Sequence, residues 1–240
     1  TLGATPVFVD IDPNTLNIDI QKLSAAILET KTKGQLTPRG IIPVDIFGLP
    51  ADYDAVSKCA TTHSLFVIGD GAQSMGSSYH TKPSPSCAEM WTTSFFPAKP
   101  LGCYGDGGAI FTDDDSLIEI CRSIRVHGKG TTKYDTVRLG LNGRLDTIQA
   151  AILLAKLPHF PGEIEKRQVA AERYTSNLTD QVRFQEIPPG YQSAWAQFSI
   201  LSRHREAIQA ALQTEGIPSA IYYKKPLHLQ PALSHLEHAL

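Results

Sequence analysis

Along the first half of the chain, short apolar runs alternate with segments of helical spacing. Residues 6–11, 40–47, 65–68, 91–95 and 109–112 read as strands, and several are almost continuously apolar, as expected of strands covered on both faces. Between them, residues 20–30, 51–63 and 117–126 repeat their apolar positions at helical spacing. That alternation implies βα crossovers and a mostly parallel sheet flanked by helices, an α/β architecture. Residues 146–157 then predict an apolar-striped helix in which Ile148, Ile152 and Ala155 share a face, ending at Pro158. A charged helix is predicted over 162–180. Beyond it, residues 194–201 alternate like a strand, 203–216 are helical, and 218–223 read as another strand, an α+β pattern.

One lysine stands out against this pattern. Lys99 lies between Pro97 and Pro100, so neither a long helix nor a central strand runs through it, and a fixed irregular connection can aim an amine. Gly102, Gly105, Gly107 and Gly108 follow, allowing a sharp turn or a close backbone approach before the strand at 109. Taken alone, these residues are more simply a solvated lysine beside a glycine turn. The upstream strand changes that reading, because it ends in Asp70, Gly71, Ala72 and Gln73. Ligands of open α/β sheets collect at the carboxyl ends of strands. An acid there and a distant lysine are what pyridoxal phosphate (PLP) chemistry needs: the amine forms a Schiff base with the aldehyde, and the carboxylate keeps the pyridinium protonated so that the ring acts as an electron sink.

With these residues in view, the chain resembles the DegT/DnrJ/EryC1/StrS sugar-nucleotide aminotransferases, which have the type I PLP-dependent transferase fold. The marks are GATPVFVDID at 3–12, PVDIFG at 43–48, DGAQ at 70–73, SFFPAK at 94–99, GDGG at 105–108, RVHG at 125–128 and NGRLDTIQ at 142–149. They occur in order and the resemblance covers nearly all of the chain. It implies Lys99 as the Schiff-base lysine and proton carrier, with Asp70 as the pyridinium partner. Gln73 resembles the contact to the ring's hydroxyl face, and Ser94 the phosphate-binding serine. Asn142 resembles the residue that reaches the phosphate in the neighbouring subunit, which implies a homodimer. In the family the long helix leads from a large domain to a small one, so residues 1–160 are expected to form the large PLP-binding domain and 161–240 a smaller α+β domain.

The same resemblance implies amino transfer, with glutamate as donor, to a nucleotide-linked keto-sugar in amino-sugar or lipopolysaccharide biosynthesis. Segments 193–200 and 216–230 look more like the 3-amino UDP-sugar subgroup than the 4-amino enzymes. Where that subgroup commonly has His-Tyr-Pro, this chain has Tyr222-Tyr223-Lys224. Substrate contacts are expected from His127, Arg144, Tyr222 and Tyr223. Plainer readings stand beside some of these: a polar connection for His127, and for Arg144 a salt bridge with Asp146 or a neighbour at the start of the following helix; Trp195, a further aromatic that could stack on the substrate, is equally explained by core packing. Two other activities fit the family, a non-catalytic or regulatory PLP-binding protein and a sugar dehydratase. In the dehydratases a histidine replaces the lysine, and Lys99 argues against that.

Departures from the family are also legible. Gly69 and Gly71 flank Asp70 where an acid and an alanine are common, which is expected to loosen the backbone there. By the same resemblance the chain opens at a point that lies well inside family members and stops before their small domain ends, so it is expected to be an interior fragment, a truncated gene product or a trimmed form of a longer protein. Among 240 residues, 42% are hydrophobic and the net charge is −2, with no basic run, which argues against nucleic acid. No apolar stretch approaches the roughly 18 to 20 residues that span a bilayer. Cys59, Cys87, Cys103 and Cys121 lack paired spacing and read as free thiols of a reducing, cytoplasmic compartment. No metal site is expected. Residues 10–21 imitate a calcium loop but place Thr15 and Gln21 where glycine and an acid are needed, and His235 and His238 lack a third ligand.

Overall fold

The computed structural model describes residues 2–132, 134–178 and 182–236. Six α-helices are present among them: α1 (Ile20–Lys33), α2 (Tyr53–His63), α3 (Asp115–Arg125), α4 (Thr147–Lys156), α5 (Phe160–Asn177) and α6 (Arg205–Thr214). Three starts are fixed by aspartate caps. Asp19 accepts from the Gln21 and Lys22 amides, Asp52 from Ala55, and Asp114 from Ser116 and Leu117, satisfying donors that a helix start leaves unpaired. The Asp52 cap explains why α2 begins at Tyr53 and not at the predicted 51.

The central sheet contains β1 (Gly40–Ile41), β2 (Phe66–Asp70), β5 (Met90–Ser94) and β6 (Gly108–Phe111), in the order β1-β2-β5-β6. The first three run parallel, with Asp70 opposite Thr92, and β6 closes one edge antiparallel to β5. Between β2 and β5 lies a hairpin of β3 (Ser78–Tyr79) and β4 (Lys82–Pro83); β3 also pairs with β8 (Tyr191–Gln192). A two-stranded ribbon joins β7 (Arg183–Phe184) to β9 (Ile200–Leu201). Helices α1 and α2 cover one face of the sheet through Leu23, Ile27, Val56 and Cys59 against Ile41 and Val67. A second cluster gathers Phe95, Leu101, Cys103, Leu153, Phe160 and Ile164, so the connection carrying Lys99 is bolted to α4 and α5 by its own apolar residues. The expected mostly parallel sheet with flanking helices is therefore the observed fold.

Four predicted strands differ. Residues 6–10 form no ladder among the described residues; the run is tied to the rest of the chain by the Ile11–Ile18 bridge, the Asp19 amide on the Asp10 carbonyl, the Lys22–Asp10 ion pair and Val9 packed on the first core cluster. The 40–47 run shortens to β1 because Pro43 carries no N–H. Val44 then makes a single parallel bridge to Asp70 before the chain turns through a 3-10 segment at Ile46–Gly48. Residues 194–201 keep only β9: the Ala194 amide donates to the Gly48 carbonyl, 2.9 Å, which pulls this stretch onto that 3-10 turn. Residues 218–223 are not a strand; Pro218 and exposed neighbours find no ladder partner among the described residues. On α4 the buried residue is Leu153, while Ile148, on the face expected to be shared with Ile152 and Ala155, is exposed, as is Leu154.

Candidate active site

Parallel register places Asp70 and Ser94 at the same end of the sheet. Asp70 ends β2 opposite Thr92, and Ser94 ends β5 two residues further along the same direction, so both lie at the carboxyl ends of adjacent parallel strands. The Asp70 amide donates to the Pro43 carbonyl, 2.9 Å, and its carbonyl accepts from the Asp45 amide, 3.0 Å. Its carboxylate accepts from the Ala72 amide, 3.1 Å, which starts the turn toward Gln73.

Gln73 is buried and its amide has a defined orientation. Its Oε1 accepts from the Phe47 amide, 2.6 Å, and its Nε2 donates to the Tyr223 hydroxyl, 3.1 Å. A contact between residues 150 apart thus brings the expected substrate-side Tyr223 to the strand-end turn. Tyr222 stands edge-on to Tyr223, with ring centroids 5.3 Å apart.

Beyond β5 the chain folds into a compact loop. The Ser94 hydroxyl accepts from the Phe96 amide, 3.2 Å, and the Lys99 amide donates to the Phe96 carbonyl, 2.9 Å. Phe95 bonds Gly107 and Cys103 through its own amide and carbonyl, and the Tyr104 amide reaches Gln149 Oε1 at the start of α4, 2.8 Å. From the end of α4, Lys156 donates its ammonium to the Gly102 carbonyl, 2.5 Å. The backbone around Lys99 is therefore held from both sides. Its side chain, half-buried, makes no hydrogen bond or ion pair with the described residues.

A second group lies after α3. Asn142 bridges back to Val126, and the His127 amide donates to the Leu141 carbonyl, 3.0 Å. Arg144 Nε donates to Asn142 Oδ1, 3.0 Å, a hydrogen bond to a neighbour where the plainer reading allowed a salt bridge with Asp146 or a neighbour. His127, Asn142 and Arg144 are all exposed, and no hydrogen bond among the described residues joins them to Asp70 or Lys99. Trp195, half-buried, packs against Phe198 and donates its indole N–H to Gln168. His238 lies outside the described residues, and residues 12–15 form a turn closed on the Asp12 carboxylate.

The expected loosening at Gly69 and Gly71 is overturned. Trp91, fully buried, lies across both: a Cβ at Gly71 would stand 1.7 Å from its ring, and one at Gly69 2.5 Å from it. The glycines make room for the indole, and the backbone beside Asp70 is packed tight. Gly71→Ala is accordingly expected to cost about 1–3 kcal/mol of stability through overpacking, read from urea unfolding. Equal stability would show that the indole swings aside freely.

Sequence reasoning also missed Asp45. It is fully buried, and burial pushes its carboxyl up to about 6, against the opposing pull of hydrogen bonds from Ser74, Ala51, Tyr53 and Trp91. A carboxyl raised on folding adds stability that is complete below its unfolded value near 3.8 and is lost as pH rises through about 6. Its ionised form at neutral pH is thus a cost that the fold carries. An acid inside the apolar run 40–47 was the available signal.

The DegT/DnrJ/EryC1/StrS aminotransferase family model matches residues 1–239. The chain belongs to this family. It is 47% identical over 97% of its length to the UDP-2-acetamido-2-deoxy-3-oxo-D-glucuronate aminotransferase of Pseudomonas aeruginosa, and 45% identical over 98% to the pleiotropic regulatory protein of Geobacillus stearothermophilus. A DegT DnrJ EryC1 StrS aminotransferase from Brucella abortus superposes with a TM-score of 0.97 at 51% identity, over 99% of this chain. The chain spans 63%, 62% and 64% of these proteins' lengths.

Proposed function

We propose that this family member belongs to a PLP-dependent aminotransferase that moves an amino group from an amino acid, glutamate by the family's habit, to a keto-sugar nucleotide. The observation that carries the reading is a strand-end carboxylate, a buried oriented amide and a hydroxyl at the carboxyl ends of adjacent parallel strands, followed in the next loop by a lysine whose amine has no polar partner among the described residues. This donor set fits PLP: a base-and-nucleophile amine, an anion for a protonated ring nitrogen, an N–H donor for a ring hydroxyl and a hydroxyl donor for phosphate. When bound, PLP supplies the electron sink for the carbon that exchanges its amino group and proton.

The chain's own residues then divide the work. Asp70 would hold the ring nitrogen protonated, and Gln73, whose Oε1 is committed to Phe47, offers its second N–H to the ring hydroxyl. Ser94 would donate to the phosphate. Lys99 would hold the cofactor covalently and carry the proton to and from the substrate carbon. Asn142 would reach the phosphate in a second copy, making the enzyme a homodimer. The exposed Tyr104, Leu139, Ile148 and Leu154 support a covered face in that region. In this reading residues 1–160 form the cofactor-binding domain and 161–240 the small one, with the protein acting in the cytoplasm in amino-sugar assembly for cell-surface polysaccharide.

For the substrate we favour a UDP-sugar aminated at C3, in keeping with the name of the Pseudomonas relative. Arg144, with Nε on Asn142, keeps its two Nη groups for a uronate carboxylate or the diphosphate, and His127, Tyr222 and Tyr223 would complete the sugar-nucleotide contacts. Purified protein charged with an amino group is expected to react faster with a 3-keto than with a 4-keto UDP-sugar, followed by cofactor absorbance. A faster 4-keto reaction would overturn the C3 assignment, and no reaction with either would favour the second reading. That reading, a regulatory cofactor-binding protein, rests on the name of the Geobacillus relative.

A further inference from the structure

Among the described residues Asp45 is the fully buried carboxylate, it lies behind the turn 70–74, and the geometry points to a task for it. Its Oδ1 accepts from the Ala51 amide, 2.9 Å, and from the Tyr53 hydroxyl, 3.0 Å. Its Oδ2 accepts from the Ser74 hydroxyl, 2.6 Å, and from the Trp91 indole N–H, 3.3 Å. Two of these partners, the amide and the indole, can only donate. The carboxylate, which needs no proton of its own to place, answers all four at once. The amide of the same residue donates to the Asp70 carbonyl. One residue therefore grips the turn 70–74 at both ends, by backbone at Asp70 and by side chain at Ser74. Between these grips lie the carboxylate of Asp70 and the amide of Gln73, and Trp91 fills the space above Gly69 and Gly71.

We propose that Asp45 is a positioning residue: by holding Ser74, Trp91 and the Asp70 backbone together it fixes the separation and aim of the Asp70 carboxylate and the Gln73 amide. The proposal rests on the cofactor reading above. The reason such a device is needed is visible in the turn itself. Gly71 and Ala72 bring no long side chain to anchor it; Gly71 is held to β5 by the Thr92 carbonyl and the Thr93 hydroxyl, and beyond it the hold passes to Ser74 on Asp45. A site held by a few polar groups loses much of its affinity when the supporting shell shifts by a fraction of an ångström.

The test uses two substitutions that each remove one hydroxyl from the same carboxylate. Ser74→Ala cuts the link between Asp45 and the turn, whereas Tyr53→Phe cuts a link to α2 and leaves the turn gripped. Cofactor-free protein is titrated with PLP by absorbance, with urea unfolding of the same samples. Ser74→Ala is expected to raise the PLP dissociation constant about tenfold and to shift the bound cofactor's absorbance. Tyr53→Phe is expected to change affinity less than about twofold at a comparable loss of stability. Asp45→Asn should behave like Ser74→Ala wherever it folds. Equal effects of the two hydroxyl deletions on PLP affinity, or none from Ser74→Ala, would overturn the positioning role and reduce Asp45 to a general stabiliser. Wild-type protein that fails to bind PLP at all would overturn the cofactor reading, and the proposal with it.

Discussion

Lys99→Ala is expected to abolish covalent retention of PLP and to lower amino transfer by at least about a thousandfold, since one side chain would supply both the attachment and the proton carrier. The fold should be unaffected. The Lys99 side chain makes no polar contact with the described residues, its backbone amide still reaches the Phe96 carbonyl, and the apolar anchors of the loop are Phe95, Leu101 and Cys103. Borohydride treatment of the PLP-loaded protein, followed by peptide mass mapping, checks the assignment. Lys156 is the instructive control, because its ammonium lies on the same loop but is committed to the Gly102 carbonyl at the end of α4. Cofactor mass on Lys156, or on any lysine but Lys99, would remove Lys99 from the role. Retention of mass in Lys99→Ala would do the same.

Much of this site could be read from the chain because it depends on local signals. Asp70 follows an unbroken apolar strand, and Pro97 and Pro100 bracket Lys99, so a strand end and a rigid connection are visible in a single sequence. Periodicity likewise located α1, α2, α3 and the central strands. What escaped were features set by contact across the fold. The strand pattern of residues 6–11 is genuine, but a strand exists only where a partner edge meets it, and periodicity carries no information about partners. Residues 194–201 alternate just as well, yet bonds to the turn at Phe47 and Gly48 take them elsewhere.

Gly69 and Gly71 show the same limit from the opposite side. Read along the chain, two glycines mean slack; in the fold they are the imprint of Trp91, some twenty residues away on the neighbouring strand and fully buried. Asp45 was hidden for a related reason. An acid in an apolar run can be an edge residue or a buried hub, and only the four donors from Ala51, Tyr53, Ser74 and Trp91 identify it as the second. The Gln73–Tyr223 hydrogen bond belongs to this class as well. Both residues were expected near the site, but nothing in their spacing shows that they touch.

The remaining large effect separates charge from shape at Asp70. Asp70→Asn is expected to fold normally and to retain the cofactor, because the bonds that seat this residue are made by its backbone to Pro43 and Asp45, and an asparagine Oδ1 can still accept from the Ala72 amide. Only the negative charge is lost. If that charge maintains the protonated ring nitrogen, its removal weakens the electron sink where charge develops during proton transfer, and turnover should fall by about a hundredfold to a thousandfold. The loss should appear in kcat far more than in KM, since the substrate-side groups are untouched. Rapid-mixing measurement of a single amino-transfer turnover, with cofactor content determined in parallel, gives both quantities. An unchanged single-turnover rate at full cofactor occupancy would show that Asp70 anchors the turn without governing the chemistry. A variant that loses the cofactor altogether would assign Asp70 to binding, and would place the electrostatic burden of the reaction on other groups at this end of the sheet.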